Sequence, residues 1–137
     1  MTVILGIDPG SRNTGFGVIR VERNQAQYVS SGTIRLPVKE ALGARLRVLF
    51  ESLSKIIDTY QPTVASIESV FMAKSADSAL KLGHARGAAM VACVTNDLEV
   101  HEYAARQIKQ SVVGTGAANK QQVQHMVTAL LGLSAEP

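Results

Sequence analysis

The stretch "GIDPGSRNTGFGVI" (Gly6–Ile19) joins two apolar runs through a tight turn, and the first run ends on a carboxylate, Asp8. A plain hairpin needs no acid there. Val3, Ile4, Leu5 and Ile7 put apolar side chains on both faces of one strand, over about residues 2–8, as a central strand requires. Residues 14–22 and 26–36 read as two more strands joined at Arg23-Asn24-Gln25, so the first third is an antiparallel meander.

Beyond it the period changes from two to 3.6. Leu42, Leu46, Leu49, Leu53, Ile56, Ile57 and Tyr60 recur at helical spacing until Pro62. Val64–Glu68 then reads as a short buried strand, and a helical crossover to it implies parallel pairing. Ser75 is positioned to cap a helix from about Ala76 to Thr95, with Asp77 in its first turn. Ala79, Gly83, Ala85, Gly87, Ala88, Ala89 and Ala92 leave that helix no wide polar face. It is either buried in the domain or pressed against another helix, such as one from a second subunit, and both readings stay open. Residues 99–103 read as a fifth strand, followed by helices near Ala104–Val112 and after Asn119.

The chain has 137 residues, 46% of them hydrophobic, which suits one domain with a real core. The single cysteine, Cys93, excludes an internal disulfide. No secretory leader pattern or membrane-length apolar run is present, so the expected setting is the cytoplasm. A net charge of +3 permits a polyanionic partner without requiring one.

Asp8 and Glu68 each end a short apolar strand. If the strands are parallel neighbours, both carboxylates emerge at one edge of the sheet, where open α/β sheets place their sites. Two acids so close repel unless a proton or cation lies between them, and hard oxygen donors select Mg²⁺ or Mn²⁺. A simple turn-forming role for Asp8 is the competing reading. Between Glu102 and Glu136 the chain has no acid but carries Arg106, Lys109 and Lys120, a pattern suited to phosphate oxygens or to a solvated surface.

Taken together, "GIDPGSRNTGFGVI", "SIESVFMAKSADSALKLGHARG" and "EYAARQIKQSVVGTGAANKQQVQHMV" resemble the bacterial RuvC Holliday junction resolvases in order and spacing over nearly the whole chain. The resemblance implies an α/β, RNase H-like fold with a five-stranded mixed sheet flanked by helices. It also implies a homodimeric endonuclease that makes symmetrical metal-dependent nicks in four-way DNA junctions during recombination and repair. Asp8 and Glu68 then stand at the family's metal-binding and catalytic positions, with two Mg²⁺ per complete site. Lys109 and Lys120 match basic positions of its DNA-binding face, Phe71 matches an aromatic associated with the junction crossover, and Arg12, Lys74, Lys81 and Arg106 extend the track. The RuvA–RuvB branch-migration complex is the expected partner.

The family pattern also needs an aspartate pair on a final helix. Residues 1–137 are therefore expected to form a single nuclease domain lacking that catalytic helix. The alternatives are a junction-binding module that does not cleave and an actin-like ATPase fragment. Against the last stands the absence of a second glycine-rich nucleotide loop.

Overall fold

The structure is a computed structural model, and it describes residues 1–23, 25–69 and 75–104, without the side chains of the last two. The helices expected after Ala104 lie outside these residues.

Five strands form one mixed sheet: β1 (Thr2–Asp8), β2 (Asn13–Glu22), β3 (Gln25–Arg35), β4 (Val64–Ser69) and β5 (Glu99–Ala104). Their order is β3-β2-β1-β4-β5, with β1, β2 and β3 antiparallel and β1, β4 and β5 parallel. The expected meander and the expected parallel crossover to β4 are both present, and β5 adds a second parallel crossover. Helices α1 (Leu42–Tyr60) and α2 (Ala76–Thr95) provide the crossovers.

Register follows from the apolar alternation, because a slip of one residue would exchange the faces. Leu5, Ile7, Val18, Ala65 and Ile67 all join the main core under the helices. Ile4 and Ile19 form a separate small cluster, with Val64 and Val21 against it, on the other side of the sheet. The sheet is thus apolar on both faces, but unequally.

The helices bury their stripes differently. In α1, Leu49, Leu53 and Ile57 face the core, and the helix ends where Gln61 turns left-handed at φ 55° and donates to the Ile57 carbonyl. Pro62 follows and cannot continue it. In α2, Ser75 accepts from the Ser78 backbone N–H at 3.1 Å, as an N-cap should. Its buried stripe is Ala85, Ala89, Ala92 and Cys93, so the backbone lies close to its neighbours. The opposite side exposes Leu80, Val91 and Val94. Burial within one subunit therefore explains only one side of α2.

Candidate active site

A buried hydroxyl holds the turn after β1 from one side. Thr14 Oγ1, fully buried, accepts from the Gly10 N–H at 3.3 Å and donates to the Gly10 carbonyl at 3.2 Å. A Cβ at Gly10 would stand 2.1 Å from the Asn13 carbonyl oxygen, so only glycine fits the bend. The Leu36 N–H closes the turn from the other side by donating to the Arg12 carbonyl at 2.9 Å. Asp8 is consequently presented by a rigid corner.

Glu68 arrives on β4, whose register with β1 runs from Ile4↔Val64 to Ile7↔Ile67. The next residue on each strand is the acid, so Asp8 and Glu68 emerge side by side, one strand spacing of about 4.8 Å apart. Both point away from the helix-covered face, because Ile7 and Ile67 point into the main core. Both are half-buried. Two carboxylates in this relation repel one another unless a proton or cation intervenes. Their oxygens are the type of donor that a hard divalent ion takes. Among the described residues, no third His, Cys, Asp or Glu joins them in a metal-binding group.

On the β1–β2 side of that face the surroundings are small. Gly15 lies opposite Asp8 on β2, Gly17 opposite Gly6, and Ser66 beside Gly6 on β4. The carboxylates rise above Gly6 and Ser66, with Gly17 of β2 on one side of that row and His101 of β5, in register with Ser66, on the other. Ser66 is 1% exposed, and among the described residues its hydroxyl has no hydrogen-bond partner.

Two arginines that the sequence reading passed over lie near the acids. Arg86 of α2 donates from Nε to the Glu68 backbone carbonyl at 3.4 Å and pairs through its terminal nitrogen with the Glu102 carboxylate of β5. A signal existed: Arg86 has no acid three or four residues away on its own helix, so its partner had to come from elsewhere. Arg35 pairs in register with Asn13 and, with Arg12, Thr33 and the Gly10-Ser11 backbone, lines an open cleft of ≈ 810 Å³ beside the Asp8 turn. It left no comparable signal.

Of the remaining expected site residues, Arg12 is exposed at that turn. Lys81 sits on the second turn of α2, paired with Asp77 at 3.0 Å. Phe71, Lys74, Arg106, Lys109 and Lys120 lie outside the described residues.

A mixed five-stranded sheet with acids side by side at its β1 and β4 ends defines an RNase H-like domain. A family model described as "Crossover junction endodeoxyribonuclease RuvC" matches residues 4–137. A protein of that name from Saccharophagus degradans is 58% identical over 137 residues, covering 100% of this chain and 79% of its own length. One from Serratia proteamaculans is 61% identical with the same coverage. Among solved structures, Thermus thermophilus RuvC in complex with Holliday junction substrate superposes with a TM-score of 0.82 at 19% identity, covering 97% of this chain and 95% of that one. A second T. thermophilus RuvC structure gives 0.74 at 28% identity, covering 99% and 84%. The chain belongs to the RuvC family of crossover junction endodeoxyribonucleases. The expected fold and the expected resolvase reading are borne out, and neither alternative is favoured.

Proposed function

We propose that the chain binds four-way DNA junctions and nicks two strands symmetrically at the edge where Asp8 and Glu68 emerge. The observation that carries this is the β1–β4 register, which sets the two acids side by side at parallel strand ends, in a chain of this family. Asp8 and Glu68 are the residues that would hold the metal. Mg²⁺ or Mn²⁺, two ions per complete site, supplies Lewis acidity toward the attacking water and the leaving 3′ oxygen when bound. The other donors are the aspartate pair expected on a final helix.

DNA affinity is assigned to other residues. Arg12 and Arg35 flank the Asp8 turn and suit phosphate oxygens on that side. Lys74, Lys81, Arg106, Lys109 and Lys120 extend the basic track, and Phe71 is proposed to wedge at the junction crossover. Each lysine that neutralises a phosphate steepens the salt dependence of binding.

Two symmetrical cuts call for two sites in fixed relation, which a two-fold homodimer supplies. Support for α2 as the interface comes from its exposed Leu80, Val91 and Val94 and from Gly83 and Gly87, where an added Cβ would meet nothing within 4 Å. Among the described residues no helix is long and apolar enough to cross a membrane. Work on junctions beside RuvA–RuvB in the cytoplasm completes the proposal.

The test is a labelled four-way junction incubated with Mg²⁺ and a version of the protein carrying the final aspartate pair. Nicked duplex products support the proposal. A mobility shift without nicks makes the chain a junction-binding scaffold, and no interaction with the junction overturns the proposal.

A further inference from the structure

Arg86 stands in the middle of α2, on the helix-covered side of the sheet, while Glu68 presents its carboxylate on the other side. The two meet through the main chain. Arg86 Nε donates to the Glu68 backbone carbonyl at 3.4 Å, and its terminal nitrogen pairs with Glu102. Glu102 lies beside Ile67 in the β4–β5 register, one residue before the level of Glu68. One planar guanidinium therefore spans the ends of two neighbouring strands, at the point where β4 is about to leave the sheet after Ser69.

Such a contact is poorly suited to adding stability. The Arg86 side chain is 24% exposed and that of Glu102 is 50% exposed, and half-exposed ion pairs contribute little net free energy. It is well suited to fixing geometry. The guanidinium offers donors in a rigid fork, so holding one acceptor restricts where the other can lie. A lysine ammonium on its flexible stem would not impose the same restriction. Strand ends fray, and Glu68 is the next-to-last residue of its strand.

We propose that Arg86 is a positioning residue of the active site: by tying the Glu68 carbonyl to β5 from α2, it fixes where the Glu68 carboxylate meets the metal. The inference rests on the reading of Glu68 as a metal ligand. In this role Arg86 acts through Glu68 and Glu102. It also makes α2 a mechanical link, since the helix that carries the exposed apolar face proposed for dimerisation holds the catalytic strand end as well. Residues that orient a metal ligand typically matter 10- to 100-fold in metal affinity or activity, roughly the scale expected here.

The test uses the full-length protein and three variants: Arg86→Met, Arg86→Lys and the charge-swapped pair Arg86→Glu with Glu102→Arg. Mn²⁺ affinity is measured by calorimetry, single-turnover nicking across a Mg²⁺ titration, junction affinity by mobility shift, and folding by thermal melting. Arg86→Met keeps the apolar stem, so it should stay folded and bind junctions normally. Its Mn²⁺ affinity should fall about 10-fold, with nicking lost at low Mg²⁺ and largely regained at high Mg²⁺. Arg86→Lys should recover part of the metal affinity.

The swapped pair separates positioning from simple ion pairing. It restores the ion pair between positions 86 and 102, but a glutamate at 86 cannot donate to the Glu68 carbonyl, so metal affinity stays low. Normal metal affinity in Arg86→Met, or full recovery of it in the swapped pair, would overturn the proposal. Should Arg86→Met fail to fold, the swapped pair carries the test. Glu68→Gln, run in parallel, isolates the underlying reading: if it binds metal and nicks normally, the Glu68 assignment fails. If it loses both while Arg86→Met keeps both, only the role of Arg86 fails.

Discussion

The two faces of the sheet are made from alternate residues of the same strands, yet at the C-terminal ends of β1 and β4 they have opposite characters. Toward the helices β1 and β4 present Leu5, Ile7, Ala65 and Ile67, all fully buried. Away from the helices, at the same strand ends, they present Gly6, Asp8, Ser66 and Glu68. The apolar face is what fixes the register, because shifting one strand by a residue would drive an acid into the core. Register in turn sets the spacing of the carboxylates. The stability of one face is therefore the geometry of the other, and the site needs no dedicated scaffold beyond the pleat.

The strongest way to break this division is on the acid face. Asp8→Asn and Glu68→Gln, in a version of the protein carrying the final aspartate pair, should each slow junction nicking by about 1,000-fold, the scale of losing one charge-stabilising group at a reacting centre. Junction affinity and melting temperature should hold, since phosphate contacts supply the first and the helix side the second. Wild-type nicking in both variants would remove the site assignment.

The complementary change is on the helix side. Leu53→Ala deletes a fully buried side chain of α1 and should lower stability by about 3 kcal/mol in denaturant titration. Nicking per folded molecule should stay near the wild-type rate. A large loss of nicking in fully folded protein would mean that the faces are coupled more tightly than the pleat requires.

The sequence disclosed the helix side readily and the acid face only in outline. Leu49, Leu53 and Ile57 repeat at helical spacing, and the β1 and β2 runs are apolar in alternation, so element boundaries came within a residue or two. Asp8 and Glu68 could be read because each ends an apolar run before a break in pattern. Their adjacency required one further step, the parallel pairing of β1 with β4. Arg86 is harder, because its partners are a main-chain carbonyl 18 residues earlier and a carboxylate 16 residues later. Main-chain acceptors leave no mark in a sequence. The surplus of small residues in α2 was visible, but which of them face the core depends on where the helix meets the sheet.

A subtler probe of the helix side is pH. Burial pushes the Cys93 thiol up to about 12. In the unfolded chain the thiol loses its proton near pH 8.5, whereas in the fold it keeps it until about pH 12. Between those values the unfolded state binds fewer protons, so this contribution to stability falls as pH rises, at up to about 1.4 kcal/mol per unit. Denaturant titrations at pH 8 and 10 should show a smaller alkaline loss for Cys93→Ala than for wild type. Equal losses would mean that Cys93 ionises as readily in the fold as out of it.

The smallest expected effect compares two buried hydroxyls, one on each side of the sheet. Thr14 shares its face with Phe16 and Val18 and is bonded twice to Gly10; Ser66 shares its face with Glu68 and has no hydrogen-bond partner among the described residues. Thr14→Val keeps the shape but strips the Gly10 N–H of its acceptor, which should cost about 1–2 kcal/mol. Ser66→Ala removes a buried hydroxyl that is unpaired among the described residues, and should stabilise by up to about 1 kcal/mol. The opposite signs follow from a single rule, since a buried polar group helps only when it is paired. Denaturant titration of both variants checks it. If Ser66→Ala instead costs stability, the hydroxyl has a partner in solution, and its place two residues before Glu68 on the same face points to water shared with the carboxylates. The floor beneath the acids would then be part of the site's polar network, and the boundary between the packing face and the chemical face would run through β4 at Ser66.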